Sequence, residues 1–387
     1  MGNKNVKTVA IVIIVLLFGY YQKWVFFGLY ELISHETSDS FMPMPIHKSV
    51  QFNDFDLEET SDERIFVKPS PSIPKRNEVS ESLGGIKDTQ MDSDALSEIV
   101  QSRLNTLQSF NCQSTRISCG SPTDCGLGCQ VHYLMTCLML SYSLNGTLIP
   151  DFSKWPYSTK WDDIFESINP TNCGPNNDTL TVVWGKNEIT LKHASNKNFL
   201  RQFKLGLPIT RSLGKQLKKS FSNPFLWWAG QFANFTLRPV LEAESWILKT
   251  KDFLQFSSGP IVGILIRRRD KKGEKKQQFH SIDKHFTTAK KYFDNIDHRG
   301  MNVTRKVYVA TDDRSVIKLS QKRYRPPKWE IVAAQRKLDI EDIMKDIILL
   351  SDCDFVVCSF TSDICRLVLE LMDSRSLNAA SKVKSLN

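Results

Sequence analysis

Pro260-Ile261-Val262-Gly263-Ile264-Leu265-Ile266 runs directly into Arg267-Arg268-Arg269-Asp270-Lys271. The first part is a short apolar run, rich in β-branched residues and bounded by proline and charge, which reads as a buried strand. In an open α/β sheet, ligands bind just beyond the carboxyl ends of the strands. Three guanidiniums at such an end suit an anion, because each presents a planar fork to phosphate oxygens. The plainer reading of Arg267 to Lys276, with seven basic and two acidic side chains in ten, is a solvated charge run.

Two later stretches repeat the pattern. Lys306-Val307-Tyr308-Val309-Ala310 reads as a strand ending in Thr311-Asp312-Asp313, and Asp354-Phe355-Val356-Val357-Cys358 as a strand ending in Ser359-Phe360-Thr361-Ser362. Helical segments fall between them, near Lys284–Phe293 and Glu341–Ser351. Thr361 or Ser362 can cap a further helix through Met372, whose N-terminal amides also favour an anion. Strands alternating with helices predict a parallel sheet. Basic, acidic and hydroxyl groups at three strand ends suit a nucleotide, with arginine for phosphates and carboxylate for ribose or base.

The chain has 387 residues, enough for a large core and two domains, and a net charge of +9. No zinc finger, RNA-binding signature or interleaved aromatic and basic pattern occurs, so no nucleic-acid partner is expected. Residues Thr8–Tyr21 are nearly all apolar, and Trp24–Tyr30 extends the run past Gln22 and Lys23. Lys4 and Lys7 precede it while Glu31, His35 and Glu36 follow, so the positive-inside rule puts the N-terminus in the cytosol and the rest in a lumen. A cleaved signal peptide is the rival, although no clear small-x-small site follows. The nine cysteines, six of them between Cys112 and Cys173, lack paired CxxC zinc spacing and read as disulfides in an oxidising compartment. Nine is odd, which leaves at least one thiol over. Sequons at Asn145, Asn177, Asn234 and Asn302 all fall on the expected lumenal side.

These features divide the chain into a cytosolic tail (1–8), a signal anchor (9–30), a stem (31–91), a helix (92–110), a disulfide-rich part (111–258) and a Rossmann-like part (259–387). The stem holds five prolines and an acidic cluster at Asp54, Asp56, Glu58, Glu59, Asp62 and Glu63, with no sustained apolar period. In the following helix Ala95, Ile99, Val100, Leu104 and Leu107 recur at helical spacing, for a short coiled coil or for packing on the globular part, and a homodimer stays open. Gly126-Leu127-Gly128-Cys129 reads as a tight turn, Val131–Tyr142 as a buried helix and Thr147-Leu148-Ile149 as a short strand. The aromatic helix Phe225–Phe232 reads as core, with a sugar-stacking platform as the alternative. Asp352-Cys353-Asp354 and Asp92-Ser93-Asp94 match the DxD metal pattern, but one straddles a strand start and the other lies beside the stem; no metal is expected.

Taken together and in order, these motifs resemble the α-1,6-fucosyltransferases of glycosyltransferase family 23. The resemblance covers about Cys112 to Asp373 and rests on Cys125-Gly-Leu-Gly-Cys129-Gln130-Val131-His132, Asn223-Pro224, Trp227-Trp228, Gln231-Phe232, Arg238-Pro239, Gly263 to Lys271, Phe279-His280, Tyr308 to Asp313, and Asp354 to Cys358 through Cys365-Arg366. It implies an α/β chain with a GT-B-like fold and a Rossmann-like nucleotide-sugar domain behind a transmembrane helix and stem. It implies a type II Golgi protein that transfers fucose from GDP-fucose to an N-glycan, inverting and without cofactor or metal. The implied disulfides are Cys112 with Cys173, Cys119 with Cys137, Cys125 with Cys129, and Cys358 with Cys365, leaving Cys353. By position, Arg267 and Arg268 take the donor-phosphate roles, Asp346 the nucleoside carboxylate, Ser362 a donor-site hydroxyl and Lys271 the basic residue after the motif. Glu274 is nearest the proposed base, with one extra residue between Gly273 and His280. The chain departs from the family in having Leu265 for His and Arg269 for Thr, in a shorter segment between Trp329 and Asp346, and in stopping soon after Met372 without an SH3-like domain. These departures keep a second expectation alive, a non-catalytic lumenal relative that binds glycans or serves as a scaffold.

Overall fold

The computed structural model describes residues 93–386 apart from 109–111, 114, 121–125, 154, 170–172, 178, 185–188, 194–199, 204–216, 269–279, 301–302, 336–338 and 377–378. The expected anchor and stem therefore lie outside the described residues. Among the described residues no helix is long and apolar enough to cross a membrane.

The two expected halves each form around a five-stranded sheet. The first unit begins with α1 (Ser93–Leu107), β1 (Arg116–Gly120), α2 (Leu127–Ser143) and β2 (Thr147–Asp151). A three-strand run of β3 (Leu180–Trp184), β4 (Ile189–His193) and β5 (Leu200–Phe203) follows. Its order is β2-β1-β3-β4-β5. β1 pairs parallel with β2 and β3, while β3, β4 and β5 are antiparallel. Helix α2 is apolar all round, so it has to be buried, and every residue from Leu127 to Tyr142 is. Gly126 stands at its N-cap and Leu127–Cys129 already belong to the helix, so the expected turn at Gly126–Cys129 is instead a helix start. The glycine at 128 is there for contact: a Cβ would lie 2.8 Å from Cβ of Asp363 in the second unit.

Helices α3 (Pro224–Thr236) and α4 (Leu241–Phe253) join the two units. Asn223 caps α3 by accepting from the Leu226 amide at 3.0 Å, and Pro224 costs no hydrogen bond at its first turn. Trp227 and Trp228 are 2 % and 0 % exposed, so this aromatic helix is core and offers no sugar platform. Helix α1 packs on α3 through Ser97 and Gln101 to Gln231, at 2.8 Å each. Its buried face is Leu96, Val100, Leu104 and Leu107, one position on from the Ala95 and Ile99 expected.

The second sheet runs β6 (Ile261–Ile266), α5 (Ile282–Asp297), β7 (Arg305–Thr311), α6 (Arg314–Arg323), β8 (Trp329–Val332), α7 (Ile340–Ser351), β9 (Phe355–Cys358), α8 (Asp363–Arg375) and β10 (Val383–Ser385). Its order is β10-β9-β6-β7-β8 and every pairing is parallel. All six residues of β6 are buried because helices cover both faces. Ile261 and Leu265 face one core with α3, α7 and α8, while Val262, Ile264 and Ile266 face another with α5 and α6. The chain starts this sheet in the middle, adds β7 and β8 on one side, then returns to lay β9 and β10 on the other. The reversal falls between β6 and β9, and a doubly wound sheet opens its ligand crevice at such a switch point. One mixed and one fully parallel α/β unit fit the GT-B-like expectation.

Three of the implied disulfides are present: Cys112–Cys173, Cys119–Cys137 and Cys358–Cys365. Cys129 is disulfide-bonded, and its expected partner Cys125 lies outside the described residues. Among the described residues Cys353 is the free thiol, buried.

Candidate active site

The site is built where β6, β7 and β9 end. Register pairs Ile266 with Thr311, which sets Arg267 and Arg268 beside Asp312. The Asp312 carboxylate takes both: one oxygen lies 3.2 Å from Arg267 Nε and the other accepts the Arg268 backbone N–H at 2.7 Å. This carboxylate therefore orients the Arg267 guanidinium and fixes the Arg268 backbone, and is not open for ribose or base as the strand-end pattern suggested. Arg267 keeps 30 % of its side chain exposed. Among the described residues the Nε of Arg268 is buried without a hydrogen-bond partner. A buried unsatisfied guanidinium donor is costly, so an oxygen ligand arriving there removes a penalty.

On the other side of the switch point, the turn Ser359–Ser362 leads from β9 into α8. Ser362 is the N-cap residue, half-buried, and its side chain makes no capping bond. Ser359 and Thr361 share a hydroxyl hydrogen bond of 2.8 Å. Arg366, buried, donates to the Phe360 carbonyl at 2.6 Å and to Asp363, which locks the turn onto the helix.

The first unit closes the space. Tyr157, in the loop after β2, has its hydroxyl against the Leu127 amide and lies near enough to Arg267 to feel its charge. Burial pushes this phenol up, while the amide and the guanidinium oppose the shift. One residue on, Gly128 meets Asp363. Burial and the Asp363 charge push Tyr133 up to about 12. Arg267, Tyr157, the start of α2 and the start of α8 thus follow one another around the switch point, and the adjacency of β6 and β9 completes the ring. Behind Arg268, burial holds His285 down at about 4, and its Nδ1–H donates to the Ser281 carbonyl at 2.9 Å, so this imidazole is neutral.

Of the expected donor residues, Arg267 and Ser362 stand at this ring, while Arg268 is held to Asp312 through its backbone N–H and its side chain lies near His285. Asp346 stands one layer back on α7, 4 % exposed, where it accepts the Tyr308 hydroxyl at 2.7 Å. Lys271 and Glu274 lie outside the described residues. Tyr157 and His285 carried no signal in the sequence: each is a lone aromatic without a spacing motif. Asp352 is held by Lys251 and Arg375, and Asp354 accepts the Ile261 amide at 2.8 Å, so Asp352-Cys353-Asp354 is structural. No group of three metal-binding side chains occurs among the described residues. Asn145 and Asn177 are exposed, Asn234 is half-buried within α3, and Asn302 lies outside the described residues.

A doubly wound sheet with a cationic, hydroxyl-rimmed switch point, beside a second α/β unit, makes this a two-lobed α/β protein with a candidate anion site. A family model described as "Alpha-(1,6)-fucosyltransferase N- and catalytic domains" matches residues 64–387. The chain belongs to the α-1,6-fucosyltransferase family. It is 31 % identical over 318 residues to an α-(1,6)-fucosyltransferase of Drosophila melanogaster, covering 76 % of this chain and 49 % of that one. It is 24 % identical over 300 residues to one of Caenorhabditis elegans, covering 71 % of this chain and 52 % of that one. The chain thus spans about half the length of these curated relatives. Among solved structures it is similar to an Arabidopsis thaliana FUT1 mutant in complex with GDP, with a TM-score of 0.41 and 12 % identity over 79 % of each chain. It is also similar to POFUT1 in complex with GDP, with a TM-score of 0.40 and 12 % identity over 71 % of this chain and 98 % of that one.

Proposed function

We infer that this chain transfers fucose from GDP-fucose to the core GlcNAc of an N-glycan in α-1,6 linkage, with inversion and without a metal. The observation that carries this reading is the arginine pair held by Asp312 at the switch point. In a direct displacement the acceptor oxygen attacks the anomeric carbon, the bond from that carbon to the diphosphate oxygen breaks, and a base takes the hydroxyl proton. GDP departs with the electron pair, so negative charge grows on the diphosphate. Arg267, oriented by Asp312, and Arg268 stabilise it there, both permanently charged. Ser362 and the amides opening α8 offer further donors from the opposite side. Glu274 is the candidate base, and Lys271, the basic residue after the motif, is the other candidate catalytic residue. The family and the lumenal cysteine pattern support a type II Golgi protein anchored by residues 9–30, glycosylated at its four sequons, with the described units in the lumen.

The test is incubation of the full chain with GDP-fucose and a mixed N-glycan pool, followed by mass analysis. Products heavier by one deoxyhexose, on the core GlcNAc, are expected; no product and no GDP binding would sink the reading. One observation favours a second reading, a non-catalytic relative that binds glycans or scaffolds. Leu265 and Asp346 are both buried, so neither presents a polar group to a nucleoside in this conformation. Turnover of GDP-fucose that disappears in Arg268→Ala removes that alternative.

A further inference from the structure

Helix α6 turns an unusually basic face to solvent. Lys318 and Lys322 stand one turn apart on it, Arg325 and Lys328 follow in the next segment, and all four are exposed. Residues 314–328 hold six basic side chains and no acidic one. Arg323 is satisfied by Asp283 at 2.6 Å. Among the described residues no carboxylate lies within ion-pair distance of Lys318, Lys322, Arg325 or Lys328. The Arg325 Nε donates to the Lys322 carbonyl at 2.7 Å, which fixes that guanidinium at the end of the helix. Leu319 adds an exposed apolar surface beside the two lysines. Four like charges so placed repel one another, and an anionic partner relieves that repulsion. The face also starts beside the candidate active site: Asp313 caps α6, and its neighbour Asp312 holds the arginine pair.

The chain carries a complementary segment of its own. Residues 54–63, Asp-Phe-Asp-Leu-Glu-Glu-Thr-Ser-Asp-Glu, hold six acidic side chains and no basic one, and lie outside the described residues. We propose that this acidic segment docks on the basic face of α6, against Lys318, Lys322, Arg325 and Lys328. The reach suffices. The 29 residues from 64 to 92 can span up to about 100 Å, against a radius of gyration of about 19 Å for a domain the size of residues 93–387. The spacing fits as well. Lys318 and Lys322 are about 6 Å apart along the helix axis. Carboxylates at alternate positions, as at 54, 56 and 58, recur about every 6.7 Å in an extended chain. Each exposed ion pair contributes little, but tethering supplies an effective concentration in about the millimolar range, so a weak contact is populated within one molecule. The docked segment would lay negative charge along the flank of the arginine-lined site. None of this depends on which reaction the site performs.

Zero-length carbodiimide coupling of the full chain in detergent, with light and heavy-isotope chains mixed, tests it. The Lys251–Asp352 ion pair serves as an internal positive control. The expected result is coupling of carboxylates 54–63 to Lys318, Lys322 or Lys328 within single chains. It should fall about tenfold at 1 M salt, where the Debye length is about 3 Å. A segment that couples elsewhere, couples only between light and heavy chains, or stays uncoupled while the control forms overturns the proposal. A second measurement uses a heparin oligosaccharide. Neutralising the segment (Asp54→Asn, Asp56→Asn, Glu58→Gln, Glu59→Gln) should tighten its binding to the α6 face about tenfold by removing a competitor. Equal affinity in parent and variant means the face is free for an external polyanion, and overturns the proposal too.

Discussion

Replacing Gly128 by alanine should lower the thermal midpoint by about 3 °C. Gly128 lies at the start of α2, where the two units touch. A Cβ there would stand 2.8 Å from Asp363 Cβ, 3.0 Å from Asp363 C and 3.0 Å from the Ile364 nitrogen. Carbon contacts settle at about 3.5–4.0 Å, so the shortfall is close to an ångström. The obstacle includes backbone, which no rotamer change can move aside. Asp363 is itself bonded to buried Arg366, so the start of α8 resists displacement. Overpacking of this kind costs about 1–3 kcal/mol, and a fixed obstacle puts it at the upper end. Alanine recovers up to about 1 kcal/mol through its helix propensity. The net loss is about 2 kcal/mol, which corresponds to about 3 °C for a chain of this size. Melts of the full chain followed by circular dichroism measure it. Gly174→Ala is the matched control, because a Cβ there meets nothing within 4 Å. A Gly128→Ala midpoint equal to or above the parent's would mean that α2 and α8 do not approach as described.

The His132–Glu370 pair, 3.1 Å apart with both side chains buried, also ties α2 to α8. Glu370→Ala should cost about 3–5 kcal/mol in denaturant titration, while His132→Leu with Glu370→Met restores most of it, because apolar side chains carry no desolvation penalty. Burial pushes the Asp373 carboxyl up to about 7. The folded chain therefore keeps that proton between about pH 4, where an unfolded carboxyl loses it, and about pH 7, so its contribution to stability falls as pH rises through this window. Asp373→Asn keeps an acceptor for the Ala379 amide, and its midpoint relative to the parent should climb across that window and level off above pH 7. His285, held at about 4, works in the opposite sense but equally in both chains, so it cancels in the difference. Cys119→Ser with Cys137→Ser opens an 18-residue loop and should cost about 3 kcal/mol under non-reducing conditions.

The second sheet was legible because its central strands are apolar on both faces. Ile261–Ile266 and the run through Val307 and Val309 contain little else, and charge marks where each one stops. The strands that escaped notice carry weaker patterns. β8 and β10 are sheet edges of four and three residues, and β3 is only half-buried. Helix α6 was invisible for the opposite reason: its exposed side is so basic that only Val316 and Ser320 mark a buried one. Gly126–Cys129 misled because glycine usually signals a turn, whereas Gly128 serves the approach of Asp363. At the site, Arg267, Arg268 and Ser362 could be placed because each immediately follows a strand or opens a helix. Tyr157 could not, since a long-range approach brings it to Arg267. The environment of Asp346 depends on Tyr308, 38 positions away, and no local spacing encodes that contact.

The measurement closest to the centre of this account is calorimetric titration of the full chain with GDP, for the parent and for Arg268→Ala of matching thermal midpoint. With the guanidinium pair receiving a diphosphate, the parent binds and the variant binds about 10- to 100-fold more weakly, as expected for losing a charge-assisted contact. A parent that takes up no GDP, or a variant that binds it equally well, would contradict the account.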